Sequence, residues 1–295
     1  MAELRETLAA PTAAGQVPLP RVEAPPARVY TPRPEPTAMA AAAARHTTAL
    51  VGIGHVGTRY ATDVILQFQA ELAVAHEAVA AQLADGWAAA NGFVEVNSRA
   101  KDHREFLLRP DLGRRLDDAS LAKVRSQCQR NPDVQLIVAD GLSAIACAQT
   151  GRILHDAVAR ACATRGLSVG TPLAARFARV WLEDEIGQEV AAKVAMILLG
   201  ERPGLGTGDG LSAYVVYGPK VGNTDGDRNM ISNIHARGMT PDVAADRLAA
   251  MAAAMIQQRR SGVSLDLSAL GDSGGRGYRA PQVRPRLVDA GEHRP

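Results

Sequence analysis

The residues best suited to chemistry gather in one short stretch, Gly200-Glu201-Arg202-Pro203-Gly204-Leu205-Gly206-Thr207-Gly208, directly after the apolar run VAMILL at 194–199. An ionised Glu201 is a pure hydrogen-bond acceptor, suited to amide or hydroxyl donors on a ligand. Gly204, Gly206 and Gly208 let the backbone come close to a large flat body. In open α/β sheets, ligands collect beyond the carboxyl ends of strands, where this loop would lie. A plain surface loop, with Glu201 paired to Arg202 or another arginine, explains the same residues equally well.

Other candidates are weaker. Gly52-Ile53-Gly54-His55-Val56-Gly57 has the spacing of a dinucleotide fingerprint, and would make the chain a stand-alone NAD(P)-binding oxidoreductase. That motif needs a strand before it, a helix after it and an acidic residue about 20 positions on. TTALV offers a short strand, but Glu71 and Glu77 fall inside a predicted helix, so a Gly-rich connector is preferred. Ser143 in Gly141-Leu142-Ser143-Ala144-Ile145 stands where a hydrolase nucleophile would. Ile145 replaces the final glycine and would crowd the strained elbow, which leaves Ser143 as a helix N-cap. The seven histidines show no HExxH spacing and the three cysteines no CxxC, so neither catalytic zinc nor a disulfide framework is expected. Glu183-Asp184-Glu185 could hold a divalent cation, but a solvated loop or a helix N-terminus is the commoner setting.

These residues need elements to place them. Val134–Ala139 (VQLIVA) and Val194–Leu199 (VAMILL) are short continuous apolar runs, each closing on a Gly-containing loop. Both are predicted as parallel strands buried on two faces. Leu211–Tyr217 is a third strand candidate and Arg179–Leu182 a fourth. Apolar residues recur at helical spacing from Thr62 to Leu83. A last helix is marked by Thr240 as N-cap, Pro241 in its first turn and an apolar face of Val243, Leu248, Met251, Met255 and Ile256, with Gly262 just past its end. Strands alternating with helices predict an α/β fold. Its expected form is a Rossmann-like open, mostly parallel sheet layered with helices, preceded by a smaller helical N-terminal region.

The predicted organisation has four parts: a disordered Pro/Ala-rich N-terminal extension (1–45), a helical N-terminal region (46–120), the α/β domain (121–265) and a disordered C-terminal tail (266–295). Eight of the 17 prolines fall between Pro11 and Pro36, and each removes an amide donor. Composition excludes whole classes. No stretch approaches the roughly 20 uninterrupted apolar residues that cross a bilayer, so no membrane association is expected. The 33 basic residues are nearly cancelled by 31 acidic ones, and aromatics are only 4%, so no nucleic-acid partner is expected either. The bias to arginine, with only four lysines, fits a GC-rich genome.

Seven strings, in order, resemble one family: SRAKDHREFLLRPDLGRRL (98–116), NPDVQLIVADGLSA (131–144), GLSVGTP (166–172), ARV.LEDEIG (178–187), AKV..ILLGERPGLG (192–206), LSAYVVY (211–217) and ISNIHARGMTP (231–241). The chain resembles the small (light) subunit of ethanolamine ammonia-lyase over residues 50 to 263. The resemblance implies a lyase subunit that completes a cobalamin pocket, while a large subunit carries the radical chemistry converting ethanolamine to acetaldehyde and ammonia. It implies adenosylcobalamin as cofactor, a hetero-oligomer of several large–small pairs with residues 46–120 docking on the large subunit, and a cytoplasmic location, the interior of a bacterial microcompartment included. The family's cofactor contacts fall on Val180, Glu201 and Met230, the last being cysteine in some relatives. No side chain is thereby assigned acid, base or nucleophile duty. No histidine has an aspartate two residues before it, so the Asp-x-His-x-x-Gly signature of a protein base on cobalt is absent and base-on cofactor is implied. A scaffold subunit that binds a partner and no cofactor is the other non-catalytic alternative.

Overall fold

The computed structural model describes residues 55–268 apart from 57, 205–207 and 237. The extension 1–45, the glycines of the 52–57 motif and the tail beyond 268 lie outside the described residues.

Strands β1 (His55–Val56) and β2 (Arg59–Tyr60) form a small antiparallel pair that precedes helix α1 (Thr62–Ala80). The main sheet has six strands: β3 (Val94–Asn97), β4 (Val134–Ala139), β5 (Leu173–Arg176), β6 (Val194–Gly200), β7 (Leu211–Tyr217) and β8 (Arg228–Ile234). Their order is β3-β5-β4-β6-β7-β8, with the first four parallel and the last two antiparallel to their neighbours. Helices α2 (His103–Leu108), α3 (Asp118–Gln127), α4 (Arg152–Thr164), α5 (Leu182–Val190) and α6 (Pro241–Gln258) cover it. This is the expected α/β architecture.

The apolar runs are continuous because both faces of the central strands are covered. Leu136 and Val138 belong to the same apolar cluster as Leu154 and Val158 of α4 and Leu248 and Met255 of α6. Ile137 and Ala139 point the other way, to Val124 of α3 and to Ile186 and Val190 of α5. Each fully buried Leu, Ile or Val contributes about 1.5–3 kcal/mol. The two central strands therefore outweigh any single polar contact, and their carboxyl ends form a stiff platform.

Several expectations are corrected. Arg179–Leu182 is a turn leading into α5, and the strand lies earlier, at Leu173–Arg176. Phe177 adopts φ 54°, which ends the strand, and three acidic residues then open a helix whose N-terminus favours negative charge. On α6, Leu248, Met251 and Met255 are buried as the periodicity predicts, but Val243 is exposed. The helix closes on Arg259 in the left-handed region, φ 54°, and not at Gly262. The stretch 46–120 supplies helices, the small β1–β2 pair and also β3, which pairs with β5 in the main sheet.

Candidate functional site

Three parallel strand ends meet at one point. Gly141 follows β4, Phe177 and Ala178 follow β5, and Gly200 closes β6. The backbones there approach closely: Leu142 N–H donates to the Gly200 carbonyl at 2.9 Å. Gly141 has φ 53°, and a Cβ on it would strike the Gly200 carbonyl oxygen. A Cβ on Gly200 would strike the carbonyls of Asp140 and Ser143. Only glycine fits either position.

Asp140 ties the third strand end to the other two. Its carboxylate is buried and accepts the backbone N–H groups of Phe177, at 2.9 Å, and Ala178, at 3.2 Å. Burial raises its pKa to about 6, while those donors pull the other way. The turn carrying Val180 is thus fixed to the end of β4. Ser143 is an N-cap, as its type predicts: its Oγ accepts from Ala146 N–H at 3.1 Å. The same hydroxyl donates to the Gly208 carbonyl at 2.9 Å, fastening the far end of the Gly-rich loop. Buried and doubly used, it has no nucleophile's exposure.

Beyond these ends opens a cleft of about 300 Å³. Val180 and Glu201 both line it, with Leu142 and Leu199 as further apolar wall. Tyr214, from β7, donates its phenolic hydrogen to Glu201 Oε1 at 2.8 Å. Among the described residues, Glu201 Oε2 has no hydrogen-bond partner. Burial raises the Tyr214 pKa well above the usual phenol value, and the Glu201 carboxylate adds to the shift. Met230 does not line the cleft, but it stands directly opposite Tyr214 in the β7–β8 pairing and is exposed. Cross-strand partners project from the same face, so Met230 flanks the cleft beside Tyr214. The fold therefore brings Val180 and Glu201 together and sets Met230 at their margin.

The other wall of the cleft was not legible in the sequence. Trp181 Nε1 donates to Asp225 Oδ1 at 2.7 Å, and the Arg114 guanidinium lies over its ring, 4.1 Å from the centroid. Arg179 stacks on Phe106 at 4.2 Å and donates to the Phe106 carbonyl at 3.1 Å. The clue available for Tyr214 was a hydroxyl-bearing aromatic in the middle of the mostly apolar run LSAYVVY, which ends on a second tyrosine, Tyr217.

The acidic triplet is the largest correction. Glu183, Asp184 and Glu185 sit at the N-terminus of α5, yet they are buried rather than solvated. Arg228, at the start of β8, bonds Glu183 at 2.7 Å and Asp184 at 2.9 Å. Glu185 accepts from Leu116 N–H at 2.6 Å and pairs with Arg115 at 3.0 Å. Two carboxylates share one cation, and Glu183 Oε2 has no partner. Burial raises the Glu183 pKa to about 8, against the opposing pull of Arg228. Among the described residues, no three His, Cys, Asp or Glu side chains are arranged to hold a metal ion.

Two other candidate sites fare worse. His55–Val56 and Arg59–Tyr60 form an antiparallel pair at the place where a dinucleotide fingerprint would open its helix. A larger hollow of about 650 Å³ at the end of edge strand β3 mixes Arg99 and Lys101 with Asp117 and Asp118. It contains none of Val180, Glu201 and Met230. Among the described residues no helix is long and apolar enough to cross a membrane. Finally, a family model described as ethanolamine ammonia-lyase light chain (EutC) matches residues 38–266, most of the chain.

Proposed function

The chain belongs to the ethanolamine ammonia-lyase light chain family, and from that premise we propose that its strand-end cleft completes the adenosylcobalamin pocket of a lyase whose catalytic side chains lie on the large subunit. A light chain implies a large partner chain, and ethanolamine ammonia-lyase is generally adenosylcobalamin-dependent. When bound, that cofactor supplies the radical chemistry that turns ethanolamine into acetaldehyde and ammonia.

The donor set in the cleft suits a corrin. The rim of a corrin carries primary amides, which are hydrogen-bond donors, and its faces are apolar. Glu201 offers a carboxylate oxygen, Oε2, that no described residue occupies, while Tyr214 holds the other in place. Val180, Leu142 and Leu199 offer apolar cover, and Met230 extends it at the margin. Because Met230 would contact the cofactor through its apolar side chain or its backbone, the cysteine of relatives is dispensable there. The chain's own part is to bind, to orient and to exclude water, and no residue of it is given a proton to move. The cofactor is taken base-on, with no histidine of this chain on cobalt.

Docking on the large subunit is assigned to the stretch 46–120, where Leu66 and Leu72 stand exposed on α1. A hetero-oligomer of several large–small pairs, and a cytoplasmic location that includes the interior of a microcompartment, rest on family membership alone.

One observation carries the cofactor assignment: Glu201 and Val180 share a cleft at the carboxyl ends of parallel strands, with one acceptor oxygen held and one free. The test is reconstitution of Glu201→Ala with the large subunit, followed by adenosylcobalamin titration monitored by visible absorbance. Weaker cofactor binding with intact subunit association is expected. Unchanged affinity removes Glu201 from the site.

A further inference from the structure

The cleft's lining sets two arginines, Arg114 and Arg179, against two acids, Glu201 and Asp225, and Arg202 at the rim tips the balance to positive by one charge. Arg202 is exposed and stands next to Glu201. Among the described residues neither Arg114 nor Arg179 makes an ion pair, whereas Arg125, Arg165 and Arg176 elsewhere each meet a carboxylate. Neither acid of the cleft meets Arg114 or Arg179: Glu201 accepts from Tyr214 through Oε1 and keeps Oε2 for the corrin amides, and Asp225 accepts from Trp181 at 2.7 Å with Arg228 at 3.8 Å. Arg179 Nε is buried with no hydrogen-bond partner. Burial lowers the Arg179 pKa, and the positive charges of Arg202 and Arg114 lower it further. Mutual repulsion of this kind is relieved by an anion.

We propose that Arg114 and Arg179, with Arg202 at the rim, form an anion subsite that takes the phosphodiester of the cobalamin nucleotide loop. This rests on the cofactor assignment above. Cobalamin has one anionic group, that phosphodiester, and its single charge suits a cleft with a modest positive surplus. The guanidinium fork matches two phosphate oxygens, as an ammonium does not. Contact with the Trp181 and Phe106 rings holds both guanidinium groups in place before the ligand arrives, which reduces the entropy lost on binding. Glu201 and the arginines thus divide the ligand between them, the carboxylate reading corrin amides and the cations reading the nucleotide loop.

The test compares two corrinoids on the holoenzyme reconstituted with its large subunit. Adenosylcobalamin carries the phosphodiester; adenosylcobinamide lacks it together with the base. Binding is followed by corrin absorbance and assembly by gel filtration. Arg114→Gln is expected to weaken adenosylcobalamin at least about tenfold and adenosylcobinamide less than about twofold. Arg114→Lys should restore part of the loss, since it returns the charge without the fork. Equal losses for both corrinoids overturn the anion subsite and leave the cofactor assignment standing. Lost assembly in Arg114→Gln also overturns it, and gives Arg114 to a carboxylate of the partner. If the parent holoenzyme binds either corrinoid no better than the large subunit alone, the cofactor assignment fails, and the subsite with it.

Discussion

Tyr214 reaches along the sheet from β7 to hold Glu201, at the end of β6, through one 2.8 Å hydrogen bond from its phenol to Oε1. The acceptor is a carboxylate, so the bond belongs to the stronger, charge-assisted kind. If Tyr214 acts only by orienting Glu201, its effect must vanish when Glu201 is gone. Tyr214→Phe is expected to weaken adenosylcobalamin by about threefold to tenfold, less than Glu201→Ala does. The double variant should then be no weaker than Glu201→Ala alone. Additive losses in that titration would place Tyr214 on the ligand itself.

Asp140 fastens the turn after β5 to the end of β4. Asparagine keeps the shape but can accept from only one of the two N–H groups with its oxygen, turning an NH₂ toward the other. Asp140→Asn should lower stability by about 1–3 kcal/mol, read from urea unfolding at pH 8. Because Val180 rides on that turn, the reconstituted holoenzyme should also bind cofactor less tightly.

The charge balance around Arg228 gives a pH signature. Burial raises Glu183 to about 8, so between roughly pH 4.5 and 8 the folded chain keeps a proton that the unfolded chain releases. Bound protons in the native state exceed those in the unfolded state, and stability falls as pH rises through that window. One proton corresponds to a slope of about 1.4 kcal/mol per pH unit at most. Glu183→Gln should flatten the curve relative to the parent between pH 6 and 8, in urea midpoints at constant m. Buried His155 acts with the opposite sign, its pKa being lowered by burial, but it is common to both proteins and cancels in the comparison. Parallel curves for the two proteins would show that Glu183 is ionised in the fold.

Gly200 and Gly226 make a contrasting pair. A methyl on Gly200 strikes two backbone carbonyls, neither of which can turn aside as a side-chain end could. On Gly226 it meets only Thr224 Oγ1, at 3.7 Å, an ordinary contact. Gly200→Ala should lower stability by about 1–3 kcal/mol or more, by thermal or urea unfolding. Gly226→Ala should stay within about 0.5 kcal/mol of the parent.

The sequence alone determined the layered α/β class, the central strands and the loop that carries Glu201. Those strands were legible because VQLIVA and VAMILL are apolar at every step or nearly so, a pattern that only strands covered on both faces need. Ser143 was legible as a cap for a local reason: its hydroxyl answers an amide three residues on. Family resemblance, and not spacing, singled out Val180 and Met230. Tertiary structure alone decided what surrounds them. Tyr214 lies 13 residues from Glu201, and Arg228 lies 45 from Glu183. No local pattern joins such pairs, because strand pairing and helix packing bring them together. The acidic triplet shows the physical reason most plainly. Three consecutive carboxylates signal solvent until a distant arginine enters the same interior and makes their burial tolerable.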